Sequence, residues 1–135
     1  MSPAAADRLQ GIYPREARSL LQYVREASLY AGPDRDLLAV VNRVADESAA
    51  DLRTFAEFLE ANRIPLPPAG SFPMRYTDLN FVAVRSVLPK LVAELRQQAA
   101  ALEADLAAIT DPGAKAAVQA LVDSHRKHLG ELESL

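Results

Sequence analysis

From Leu9 to Leu132 apolar residues recur at steps of three and four, and the pattern is interrupted at length only once, between Arg63 and Thr77. That period puts side chains on one stripe of an α-helix, so a chain that keeps it for most of its length must bury helix stripes against one another. No stretch shows strand alternation bounded by turns, and the fold class expected is all-α.

Four helices are predicted. The first stripe, Leu9, Tyr13, Ala17, Leu20, Val24 and Ala27, holds its phase across Gly11 and Pro14, which predicts one helix over about 3–31, kinked near Pro14. Ser2 and Pro3 supply its start, and Ala31-Gly32-Pro33 its stop. Asp34 is the expected cap of a second helix over 35–62, striped by Leu37, Leu38, Val41, Val44, Ser48, Leu52, Phe55 and Leu59. Arg43, Glu47 and Glu60 fall off that stripe and read as a solvated face. A third helix over 78–109 is expected to start at Thr77 or Asp78 and to bend at Pro89. Asp111-Pro112 opens the fourth, 112–133, with Ala114, Val118, Leu121, Val122, His125, Leu129 and Leu132 facing inward. Short links make the first two helices antiparallel neighbours, and likewise the last two.

The interruption, RIPLPPAGSFPMRYT, holds four of the nine prolines. Its apolar residues Ile64, Leu66, Phe72, Met74 and Tyr76 occupy even positions, which puts them on one side of an extended segment. Fifteen residues at about 3.3 Å each reach roughly 50 Å, more than the roughly 40 Å of the second helix. The connector at 63–77 is therefore expected to cross the whole bundle, with Phe72 and Met74 its most buried anchors. The chain is read as a single domain, 1–135: a four-helix bundle with one long crossover between the second and third helices.

On these residues the chain resembles the ferritin-like superfamily. The run PPAGSFPMRYTDLNF…LPKLV is similar to a connector shared by an uncharacterised group of bacterial ferritin-like proteins. The resemblance implies no activity for that group. For the superfamily it implies a mid-height metal site built from a Glu on each of two helices and Glu-x-x-His on each of the other two. Glu94, His128 and, at the stripe's edge, Glu16 match that pattern, whereas Ser48, Asp51 and His125 depart from it. The full di-metal site is thus in doubt, and His125, His128 and Glu94 are the candidate ligands for a single divalent metal, iron or zinc, with Glu16 and Asp51 as further ones. The competing and weightier reading makes His125 a buried residue hydrogen-bonded to Gln98, with His128 and Glu94 a half-exposed ion pair.

Other chemistry is excluded more simply. There is no Cys in the chain, so thiolate zinc sites and cysteine nucleophiles are absent, and the net charge of −3 gives no basic face for nucleic acid. No phosphate loop, nucleophile elbow or H-E-x-x-H appears, and Ser124 and His125 point in different directions on a helix. No apolar run approaches a membrane span or a signal-peptide core, and the expectation is a soluble cytoplasmic protein. The reading that results is a non-enzymatic structural or interaction module, with a homodimer or protein partner suggested by Ala99, Ala100 and Ala101. The alternative is a metal-binding redox or storage-related protein. A third, an apolar ligand pocket, follows if Pro14 and Pro89 loosen the packing.

Overall fold

The computed structural model describes all 135 residues, and its regular elements are all helical, without strands. Its elements are α1 (Pro3–Ala17), α2 (Leu20–Tyr23), α3 (Arg35–Ala61), a 3-10 turn (Met74–Leu79), α4 (Val84–Ala108) and α5 (Pro112–Glu133). No helix is long and apolar enough to cross a membrane.

Two core clusters fix how the helices run. One gathers Leu20 to Leu29, the start of α3 at Leu37 to Ala45, the end of the connector at Tyr76 and Leu79, the start of α4 at Val84 to Leu95, and Leu132 near the end of α5. The other gathers Leu9 and Ile12, the end of α3 at Phe55 and Leu59, Ile64, Leu102, Ile109, and the start of α5 at Ala114 to Val122. The beginnings of α3 and α4 thus share one end of the molecule, so the two run in the same direction. The connector leaves one cluster at Ile64 and enters the other at Tyr76, passing the length of α3 between them.

Local chemistry explains the helix ends. Ser2 Oγ accepts the Ala5 amide at 3.1 Å and Asp111 Oδ1 accepts that of Ala114 at 2.8 Å, as expected of residues capping a helix with Pro in its first turn. Asp34 does not cap α3 with its side chain; its carboxylate takes Arg85 at 2.9 Å instead, tying α3 to α4.

Three expectations need correction. The first predicted helix is not continuous: α1 runs through Pro14 to Ala17, and Ser19 (φ −69°, ψ 159°) starts α2 with its hydroxyl facing the Gln22 amide at 3.4 Å. The apolar phase survives because both pieces turn their stripe to the bundle interior, α1 at one core cluster and α2 at the other, so periodicity cannot reveal a break between them. Beyond α2 the chain turns and pairs with the residues before α4, Tyr30 N–H donating to Val82 O at 2.9 Å and Val84 N–H to Tyr30 O at 2.8 Å. The third helix starts at Val84 rather than 78, because Thr77 and Asp78 lie in the 3-10 turn and Phe81 adopts φ +62°, a left-handed conformation no helix can contain. Finally, Met74 is 86% exposed and Phe72 only half-buried, whereas Ile64 and Tyr76 are buried. The two-residue alternation stops where the 3-10 turn begins; there residues three apart share a face, and Tyr76 and Leu79 point inward together.

The neighbours of the two helix prolines border open surface pockets, Tyr13 and Ala17 one and Lys90, Ala93 and Glu94 another. α4 continues through Pro89, which lies on the exposed face, and neither Pro14 nor Pro89 lines any of the five main pockets. Ala99 is buried between helices rather than on the surface, while Ala100 is exposed.

Candidate functional site

The interior carries polar residues that an apolar stripe alone would not predict. Glu16 of α1, on the inner edge of its helix, is 3% exposed and reaches two other helices. Its Oε1 lies 2.6 Å from Nε2 of His125 on α5, and its Oε2 accepts Nε2 of Gln98 on α4 at 3.0 Å. Gln98 and His125 sit level, as their distances of twelve residues from Thr110 and thirteen from Pro112 require, but they meet through Glu16 rather than directly. Burying these groups costs free energy unless each finds a partner, and the Glu16 carboxylate gives one to Nε2 of both neighbours at once. Both side chains of the Glu16–His125 pair are sealed from solvent, so it bridges helices rather than offering a base to a dissolved substrate.

One turn along α5, His128 meets a different set. It is 1% exposed, and its Nε2 lies 3.1 Å from Oε1 of Glu47 on α3. Arg43, one turn before Glu47, donates to Glu47 Oε2 at 2.9 Å and to Glu131 Oε2, and Lys127 Nζ stands 3.8 Å from Glu47 Oε1. The Arg43 guanidinium, and for Glu47 also the His128 contact, hold both carboxyls below the usual carboxylate range, while the two carboxylates raise Arg43. Four buried side-chain atoms have no hydrogen-bond partner within the protein: Nε of Arg15, Nδ1 of His125, Nδ1 of His128 and Oε1 of Glu131.

The remaining sequence candidates lie apart. Glu94 accepts the Tyr76 hydroxyl at 2.8 Å and faces Arg75 at 3.5 Å; it forms no pair with His128. Asp51 accepts the Ser124 hydroxyl. Of the five candidate ligands, only Glu16 and His125 touch, while Asp51 and His128 line one surface pocket together with Glu47. The one group of three or more metal-ligating side chains whose donor atoms all lie within 4.8 Å of one another is Glu47, His128 and Glu131.

Glu47 is therefore not on a solvated far face but half-buried where α3 meets α5. The signal that could have found it is its place three residues after Val44, at the rim of the stripe, with Arg43 one turn back. Glu131 likewise stands three residues beyond His128, on the same side of α5. Asp105 was also missed: it is 6% exposed and accepts Arg8 at 2.9 Å and Arg15 at 2.7 Å, clamping α1 to α4.

Nor do the buried tyrosines leave their hydroxyls in water. Tyr23 donates to Asn80 Oδ1 at 2.6 Å and Tyr76 to Glu94, with the two rings in contact at 5.6 Å between centroids. Burial first, and the Glu94 bond second, push the Tyr76 hydroxyl up to about 12 from its ordinary 10.0. A group whose folded pKa is raised stabilises the fold below its unfolded value and loses that contribution as pH rises through the folded one. Denaturant unfolding should show stability falling between about pH 10 and pH 12 in the wild type, and Tyr76→Phe should flatten that limb. An unchanged alkaline limb in the variant would assign the loss to other groups.

Comparison with family models, with curated proteins and with solved structures gives no match.

Proposed function

We propose that the protein is a non-enzymatic, ferritin-like helical bundle that serves as a structural or protein-interaction module and pairs with a second copy of itself. The parallel run of α3 and α4, with a connector spanning the bundle between them, supports the ferritin-like arrangement over a plain up-and-down bundle. The observation that carries the interaction role is a groove of about 440 Å³ between α3 and α5. Phe55, Phe58, Ala117 and Leu121 give it an apolar floor, and Gly113, Ala116 and Ala120 keep its α5 wall low.

Helices pack with axes about 8–10 Å apart, and small side chains are what permit the near end of that range. A wall of Gly and Ala beside the half-buried Phe58 ring therefore suits another helix better than a solute, which would meet few convergent polar groups there. Because the chain has no Cys of its own, single introduced cysteines report faces cleanly. With a short bifunctional maleimide, Ala120→Cys in the groove wall should cross-link into dimers, whereas Ala104→Cys, exposed on α4, should not. Equal cross-linking at both positions would remove the groove as the interface.

A further inference from the structure

We propose that Glu47, His128 and Glu131 form a binding site for one divalent transition-metal ion, of the zinc or cobalt kind, at the junction of α3 and α5. The three side chains bring one donor atom each to within 4.8 Å of the others. Metal–donor bonds of about 2.0–2.2 Å place tetrahedral donors roughly 3.5 Å apart; His128 Nε2 and Glu47 Oε1 already stand 3.1 Å apart, and no donor pair need close by more than about an ångström. Two glutamates on the rim of their helices can supply that movement, while the buried His128 stays fixed. One imidazole and two carboxylates are an acceptable donor set for such ions, and they leave a fourth position to water.

One feature distinguishes this cluster from an ordinary ion-pair network. Arg43 occupies only the Oε2 atoms of the two glutamates, which leaves Glu47 Oε1 directed at His128 Nε2 and Glu131 Oε1 without any partner although buried. His128 itself is 1% exposed and keeps one ring nitrogen unpaired. An unpaired ring nitrogen occurs on His125 in the closed interior set too, so the orphaned Glu131 Oε1 is what sets this cluster apart: a carboxylate oxygen out of water with no donor facing it. A cation bound by His128 and the two Oε1 atoms would use the orphaned oxygen, with Arg43 holding both carboxylates from behind and Lys127 at the rim. The residues differ from the set expected from sequence: His128 is shared, but Glu94 and His125 are not part of it.

The test is a titration of chelator-stripped protein with zinc alone and with cobalt(II) alone, followed by calorimetry and by cobalt visible absorption. One ion per chain is expected, with absorption diagnostic of low coordination number. His128→Gln and Glu131→Gln should each weaken binding by more than about tenfold. Glu131→Gln guards against a His128 variant that fails to fold, since Glu131 lies at the rim. His125→Gln, if folded by circular dichroism, should bind as the wild type does. No saturable binding by the wild type, or binding indifferent to Glu131→Gln, would overturn the site.

Discussion

Replacing His125 with Ala is expected to cost about 3–5 kcal/mol, a fall in Tm of roughly 10–15 °C, because it strands the Glu16 carboxyl in the core. Glu16→Ala should cost a similar amount, since it deprives His125 and Gln98 of their shared acceptor. The informative variant removes the whole set. Glu16→Leu, Gln98→Leu and His125→Leu together leave no polar atom to satisfy, and buried polar sets replaced by apolar residues of similar volume are often neutral or more stable by about 1–4 kcal/mol. The triple variant should therefore melt far above either single one, a non-additivity that denaturant unfolding of the cycle reads directly. Additive losses would mean that the three side chains act independently, and would sink the account of Glu16 as the common acceptor.

The second large effect lies in the connector. Tyr76→Ala should cost about 3–5 kcal/mol, because it empties a buried ring position against Tyr23 and strands Glu94 beside Arg75. Met74→Ala, two residues away, should change stability by less than about 0.5 kcal/mol, because its side chain is already in water. Had the connector stayed extended through residue 76, Met74 and Tyr76 would share a face and both substitutions would hurt. A comparable loss at the two positions in urea unfolding would restore the extended reading and contradict the 3-10 turn.

These two predictions mark what the sequence could and could not show. Helical class, the capping roles of Ser2 and Asp111, the level placement of Gln98 with His125, and a connector long enough to cross the bundle were all readable, because each rests on spacing along one element. The break at Ser19 was not, since two segments that both turn their stripes to the bundle interior keep the phase of one long helix. The turn at Met74 was not, because short 3-10 geometry is set by what it packs on rather than by its own pattern. Partnerships between helices were the least legible. Glu94 and His128 come level by counting residues, yet height along an axis says nothing of rotation about it, and they point to different neighbours. Glu47 lay three residues past a core valine, at the one place where α5 brings a histidine to the rim of the stripe.

The same geometry divides the molecule into a closed interior and an open face. Glu16 joins Gln98 and His125 inside; the α3–α5 face carries the groove, with the Glu47, His128 and Glu131 cluster farther along the same helix pair. The central claim is that this face pairs the chain with a second copy. Sedimentation equilibrium across the accessible concentration range tests it most directly, on the wild type and on Ala120→Arg, which puts a charge on the exposed wall of the groove. The claim predicts a reversible dimer for the wild type and a monomer of unchanged Tm for the variant. A wild type that is monomeric at every concentration, or a variant that dimerises equally well, would contradict it.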